Sequence, residues 1–471
     1  MNIIWYKNDL RINDHQPLCE SLSRGETVGL YCFDPRQLRD TEYGFKKMDS
    51  LRAAFLIDSV QNLKENLNGN LIIKIGQPET VIPEVAKNIG AKAVYCSAET
   101  TSDEIEVESS LRKNLVDIPV YSFHTHTMYH PEDVPFDLQD IPDVFTQFRK
   151  QAEKRSSVRD PLPAPDSLRG PYPNIKYGSI PTVNDLGLEE QSVDERSVLS
   201  FKGGEIEAWK RLDHYFFESD ELRNYKFTRN GLLGKNYSSK FSPWLAHGCI
   251  SARSIHQKVE TYERTVHKNV STYWMKFELI WRDYFRFSAM KHGNSIFHLG
   301  GIQGKDLQKD TDSAVFKKWA EGKTGIPFVD ANMRELSSTG YMSNRGRQNV
   351  ASFLAQNLNF DWRWGAAWFE SKLIDYDVCS NWGNWAYNAT VGHDPRNRYF
   401  NIVGQARKYD KKGEYVRHWL PELKDLPSEF VHEPYKMTVD QQKLYGVKIG
   451  VDYPEPMIDL EKSYEDIKQR D

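Results

Sequence analysis

Over the first 130 residues the apolar positions come in short unbroken runs, at 3–6, 28–33, 71–75, 93–96 and 120–123. Val, Ile and Tyr dominate them, as in strands covered on both faces. Stretches with apolar residues at helical spacing fall between, notably 51–67 and 79–89. This βαβ rhythm predicts a doubly wound parallel sheet of five strands. From 131 to 199 the pattern changes. Pro161, Pro163, Pro165, Pro171, Pro173 and Pro181 interrupt any long helix, so this stretch is expected to be a long connector running over the surface of one domain to reach the next. Beyond Gly203 the pattern is helical throughout, with an amphipathic run at 206–217 and an aromatic-rich one at 277–287. The expected fold class is α/β plus all-α: an α/β domain over 1–130, a connector over 131–199 and a helical domain over 200–471. After Leu420 polar, Pro-interrupted sequence predicts loops and one short terminal helix.

The 471 residues allow two or three domains. A formal charge of −4 gives no global attraction to nucleic acid, so any such partner must meet a local basic patch. No apolar run reaches 18 residues, and no partner membrane is expected. The first residues lack the charged, apolar and cleavage regions of a signal peptide. A bacterial cytoplasmic location is expected, or an organelle if a transit peptide preceded this numbering. Five scattered Cys with no CxxC spacing argue against both disulfides and zinc. Neither GxGxxG after the first strand nor GxxxxGK[ST] occurs, so the ordinary dinucleotide and P-loop readings fail.

The stretch 341–387 carries Trp362, Trp364, Trp368, Trp382 and Trp385; extended back to Trp274 it holds eight of the twelve Trp in the chain. Leu and Ile fill a core without an N–H to satisfy. Such density suggests a wall against a large flat aromatic ligand, or a redox path of indoles. Arg347, Asp375 and Asp377 are charges in that apolar setting, read either as a structural ion pair or as partners of a bound polar ligand. Ser238, Ser239 and Ser242 sit where a loop is expected to enter a helix, which suits an anion or a plain N-cap. Arg229, Arg282 and Arg345, with Lys235 and Lys240, form either a basic rim or scattered surface charge. His124, His126 and His130 are assigned no role, and no metal is expected.

Six segments together resemble one family: WYKNDLRINDH, GLLGKNYSSKFSPWLAHGCIS, FELIWRDYFRF, EGKTGIPFVDANMRELSSTGYMSNRGRQ, LIDYDVCSNWGNWAY and GEYVRHWLPEL. From residue 3 to about 423 the chain is similar to the cryptochrome/photolyase family, and within it to the DASH cryptochromes. The resemblance implies a blue-light-dependent flavoprotein. Its helical domain would hold FAD through Tyr225, Ser238, Ser239, Lys240, Phe241 and Ser242, with Glu278 at the boundary of cofactor and substrate. Arg347 and Asp375 would pair beside the isoalloxazine, Asp377 would accept from the ring edge, and Asn381 would face flavin N5. The implied reaction is that of a deoxyribodipyrimidine photo-lyase, in which excited reduced FAD lends an electron that splits a cyclobutane pyrimidine dimer. Glu278 would hydrogen-bond the dimer, Trp281 would stack on it, and Arg229, Arg282 and Arg345 would grip flanking phosphates. Gln348 and Tyr387 stand where duplex-repairing relatives have Met and Trp. Weaker stacking at these positions predicts single-stranded DNA containing pyrimidine dimers as substrate. Asn344 and Gln348 replace the two His of the (6-4) branch.

Trp385 and Trp362 match the first two members of the family's photoreduction chain, while Lys309 stands at the third. Glu99 matches the Glu that contacts an antenna 5,10-methenyltetrahydrofolate. A monomer is expected. The rival expectation is a blue-light sensor that signals through a partner, as a transcription regulator would, with little repair.

Overall fold

The computed structural model describes residues 1–166, 168–393 and 399–470. Five parallel strands, β1 (Asn2–Tyr6), β2 (Thr27–Phe33), β3 (Leu71–Ile75), β4 (Ala93–Ser97) and β5 (Val120–Phe123), line up in the order β3-β2-β1-β4-β5. Asn2 pairs with Thr27 on one side of β1 and with Ala93 on the other. Helices α1 (Gln16–Ser23), α2 (Ser50–Asn66), α3 (Pro78–Ile89) and α4 (Ser102–Asn114) occupy the crossovers. Every residue of β1 and β2 is buried, as the unbroken apolar runs require. One face of the sheet packs on Ile82, Val85 and Leu111. The other face belongs to a core that runs on through Phe55 and Leu56 into Trp244, Ile255 and Ile280 of the helical domain.

Buried polar contacts fix the two domains against each other. Asp14 forms a salt bridge with Arg253, and both side chains are almost fully buried. The Asp283 carboxylate accepts from the backbone N–H groups of Met128 and Tyr129, each at 2.8 Å. Gly248, at φ +64°, brings the helical domain onto the end of β1; a Cβ there would lie 2.1 Å from Asn8 O.

The connector contains α5 (Phe145–Arg155), whose Phe145, Phe148 and Ala152 form one buried stripe. The helix-breaking prolines all lie beyond Arg155, so they never bore on this segment. After Leu420 there are two helices where one was expected, Val439–Tyr445 and Leu460–Arg470. The first opens on a capping box between Thr438 and Gln441.

Candidate cofactor and substrate site

Residues 231–241 form an irregular segment that enters the short helix Ser242–Ala246. Arg211 holds it from below, donating to Ser239 O at 2.9 Å and Ser238 O at 3.0 Å. Phe241 faces the core, edge-on to Tyr215 and Phe216, and Ser242 is exposed. Lys240 takes a left-handed backbone conformation at φ 57°, strained for a side-chain-bearing residue. Its side chain is buried; Nζ lies 3.3 Å from the centroid of the Tyr237 ring and 3.3 Å from Gly234 O. Among the described residues Lys240 has no carboxylate partner. Burial, with Arg211 nearby, pushes its pKa down to about 6. A buried ammonium without an anion is costly, and this segment is suited to an anionic ligand such as the diphosphate of FAD.

Lys240 therefore yields a pH prediction. In cofactor-free protein its folded pKa is about 6, against 10.5 for the ordinary side chain. Between those values the unfolded chain binds more protons, so Lys240 makes stability rise with pH from about 6 to about 10. A bound diphosphate keeps the ammonium charged and removes that contribution. Melting temperatures of Lys240→Met and parent between pH 6 and 9, with and without FAD, test this. The variant should lose the slope only in the cofactor-free series.

Arg347 lies across from this segment, in the helix Asn344–Ser352. It donates to both oxygens of Asp375, at 3.0 and 2.7 Å, and to Met342 O at 2.9 Å. Asp375 is only 1% exposed at its side chain. Asn381, one turn into the helix Val378–Asn388, donates from Nδ2 to Ala366 O at 3.0 Å. Its Oδ1 is left as the acceptor, which suits a ring N–H. Trp385 is buried against Gly365, where a Cβ would lie 2.2 Å from Trp385 Cη2. Trp362 donates from Nε1 to Leu299 O and is fully buried.

Tyr225 is buried beside Glu278 and Arg229. Arg229 pairs with Glu278 at 2.7 Å. Burial pushes the Glu278 carboxyl above its ordinary pKa, and Arg229 pulls it back. Arg345 reaches Asn230 Oδ1 at 3.0 Å and Gln405 Oε1 at 3.3 Å, and covers the Tyr409 ring. Among the described residues its hydrogen-bond partners are neutral, which leaves its charge available to a phosphate. Gln348 Oε1 is buried and makes no hydrogen bond among the described residues. Tyr387 stands edge-on to Trp281 at 6.3 Å.

Phe145 of α5 stacks on one face of Trp281, at 3.5 Å and 10°. Two expectations are corrected. Arg282 does not face a strand of DNA; its guanidinium donates to His126 O and Leu245 O in the seam between the domains. Asp377 commits both oxygens to the protein. Oδ1 caps Ser380 N and Oδ2 pairs with Arg286, each at 2.8 Å, and the side chain turns toward the interdomain cavity.

That cavity, of about 1210 Å³, opens where β1 and β4 part, at the carboxyl ends of the strands. Asn8, Asp34 and Glu99 line it from the sheet side, and Arg286, Asp377 and Trp382 from the helical side. Glu99 is 5% exposed, 3.6 Å from His126 Nε2 and 3.8 Å from Arg286 Nη1. Glu99 Oε1 and His126 Nε2 make no hydrogen bond among the described residues. His126, given no role from sequence, stands behind Glu99 of this wall, and Arg286 and Trp382 belong to the wall itself. Lys309 Nζ is tied to Ala355 O and Asn359 Oδ1. Asp143, His292 and His393 form one potential metal-ligand group, but Lys291 already occupies Asp143 Oδ1, and Ser288 pairs with His393 Nε2.

A parallel-sheet domain joined to a helical domain with this pocket is the architecture of photolyase-type flavoproteins, and the sequence comparisons agree. Residues 2–166 match the DNA photolyase domain, and residues 274–470 match the FAD binding domain of DNA photolyase. A cryptochrome DASH from Gloeobacter violaceus is 52% identical over 98% of this chain and 93% of its own length. One from Synechocystis is 51% identical over 98% of this chain and 96% of its own. The crystal structure of a Synechocystis cryptochrome superposes with a TM-score of 0.97 at 50% identity, covering 100% of this chain and 99% of that one. A class III photolyase from Agrobacterium tumefaciens gives 0.85 at 26% identity, covering 99% and 98%. The chain belongs to the cryptochrome/photolyase family, in its DASH branch. It is a blue-light flavoprotein of photolyase type that binds FAD, and no helix among the described residues is long and apolar enough to cross a membrane.

Proposed function

We propose that this protein repairs cyclobutane pyrimidine dimers in single-stranded DNA under blue light, with FAD as cofactor and methenyltetrahydrofolate as antenna. The observation that carries the reading is the Arg229–Glu278 pair, set beside Tyr225 and Trp274 in the helical domain. FAD held by these residues would supply the light-excited electron that splits the dimer. The chain's own part is positioning. Arg347 and Asp375 fix one side of the ring pocket, and Asn381 Oδ1 accepts from the ring edge. Lys240 balances the diphosphate. Trp281, backed by Phe145, offers its remaining surface to a flipped base. Arg229 and Arg345 meet the flanking phosphates. Arg229 exchanging Glu278 for phosphate would free the carboxyl group to hydrogen-bond the dimer. The folate reading is supported by Glu99, a carboxylate that lines the interdomain cavity and whose Oε1 makes no hydrogen bond among the described residues.

Pre-reduced protein given a thymine-dimer oligonucleotide under blue light, as a single strand and as a duplex, tests the proposal. Repair of the single strand with little of the duplex is expected. No repair of either, with FAD bound, would instead favour a sensor. Glu278→Ala should retain FAD and lose about tenfold or more in repair, the scale of one hydrogen bond to a charged group. Repair at the parent rate would remove Glu278 from the site.

A further inference from the structure

The photoreduction chain that Trp385 and Trp362 begin has no indole at Lys309, whose ammonium is held by Ala355 O and Asn359 Oδ1. The structure offers another exit. Trp382 lies three residues before Trp385 on the helix Val378–Asn388, on the same side of that helix. Its ring meets that of Trp362 directly, with centroids 5.7 Å apart and planes at 73°. Trp385 and Trp362 are buried, whereas Trp382 is half-buried and lines the interdomain cavity. Another aromatic route from Trp385 runs through Trp319 at 6.1 Å to Phe316 and from there to Trp364 or Trp368. It is interrupted by a phenyl ring, which is far harder to oxidise than an indole.

We infer that Trp382 is the outer electron donor of this chain, so that electrons enter from the interdomain cavity through Trp382 and Trp362 to Trp385. The inference rests on the reading that Trp385 hands its electron to bound FAD. In each turn one electron moves inward and leaves Trp382 one electron short. An external thiol then gives Trp382 one electron and releases one proton to solvent; two turns join two thiols as a disulfide. Trp382 acts through Trp362 and touches neither substrate nor flavin in this scheme, so its effect is on the lifetime of charge separation.

The experiment uses the FAD-bound protein under blue light with dithiothreitol as the reductant. It compares parent, Trp382→Phe, Trp382→Tyr and Trp385→Phe by flavin absorption in the dark, thiol-dependent photoreduction yield and transient absorption of the aromatic radical. Trp382→Phe should keep the dark spectrum, while its indole radical recombines before thiol reacts and the yield is lost. Trp382→Tyr should restore part of the yield and show a tyrosyl radical, which a purely structural role for Trp382 would not produce. A parent-like yield and radical lifetime in Trp382→Phe would overturn the inference. If Trp382→Phe fails to hold FAD, the absence of a tyrosyl radical in Trp382→Tyr overturns it instead. Undiminished photoreduction in Trp385→Phe would mean that the underlying reading of Trp385 has failed.

Discussion

Arg347→Ala should destabilise the protein by about 3–5 kcal/mol, the typical result of removing one partner from a buried ion pair. The cause is the carboxylate left behind. Asp375 is 1% exposed, and both of its oxygens accept from Arg347, at 3.0 and 2.7 Å. The same guanidinium also holds Met342 O at 2.9 Å, so one substitution loosens the approach to its helix and strands a charge. Chemical denaturation of cofactor-free protein measures the loss, and the FAD content of purified protein should fall with it. The double variant Arg347→Ala/Asp375→Ala separates the causes. If the stranded charge dominates, removing it recovers much of the stability, and the two substitutions are far from additive. A single variant as stable as the parent would mean that Asp375 is satisfied by something other than Arg347.

β1, β2 and β4 were legible because strands buried along their whole length carry apolar runs, and β3 and β5 because Val, Ile and Tyr still dominate them although each has an exposed residue. All five appear within a residue of their runs. The helix α5 was not legible, because the prolines of 161–181 give the connector as a whole a loop-like composition although α5 ends before them. Within the site, motif position located residues but not the direction of their side chains. Glu278, Arg282 and Arg286 share one face of the helix Val270–His292, at spacings of four. Eight residues of helix span about 12 Å, so this face runs from the substrate mouth to the interdomain cavity. Glu278 meets Arg229 at one end, and Arg286 meets Asp377 at the other. Arg282, between them, is held in the seam by backbone carbonyls. A role read from its neighbours' motif therefore pointed it the wrong way. Trp382 was visible as a residue three positions from Trp385, but its contact with Trp362 depends on how two helices pack.

Substituting Gln348→Met and Tyr387→Trp together should narrow the gap between duplex and single-strand repair, chiefly by raising repair of the duplex. Extracting a dimer from a duplex costs a few kcal/mol of unpairing and unstacking, much of which a single strand has already lost. The protein must return that cost through contacts in the pocket. Gln348 places a buried Oε1 with no hydrogen bond among the described residues, a group that needs a polar partner and offers little to an apolar dimer face. Tyr387, edge-on to Trp281, presents a smaller ring than an indole. Base–aromatic stacking is worth roughly 1–3 kcal/mol per base when the whole ring is lost, so enlarging an existing ring corresponds to a part of that, up to about tenfold in duplex repair. Single-strand repair, which does not bear the extraction cost, should change much less. The ratio of the two initial rates under the same light dose is the quantity to measure, because it cancels differences in FAD content and in antenna loading. An unchanged ratio would locate the discrimination elsewhere, most directly in the phosphate contacts of Arg229 and Arg345. In that case charge-neutral variants at those two positions would shift the ratio, and the pocket variants would not.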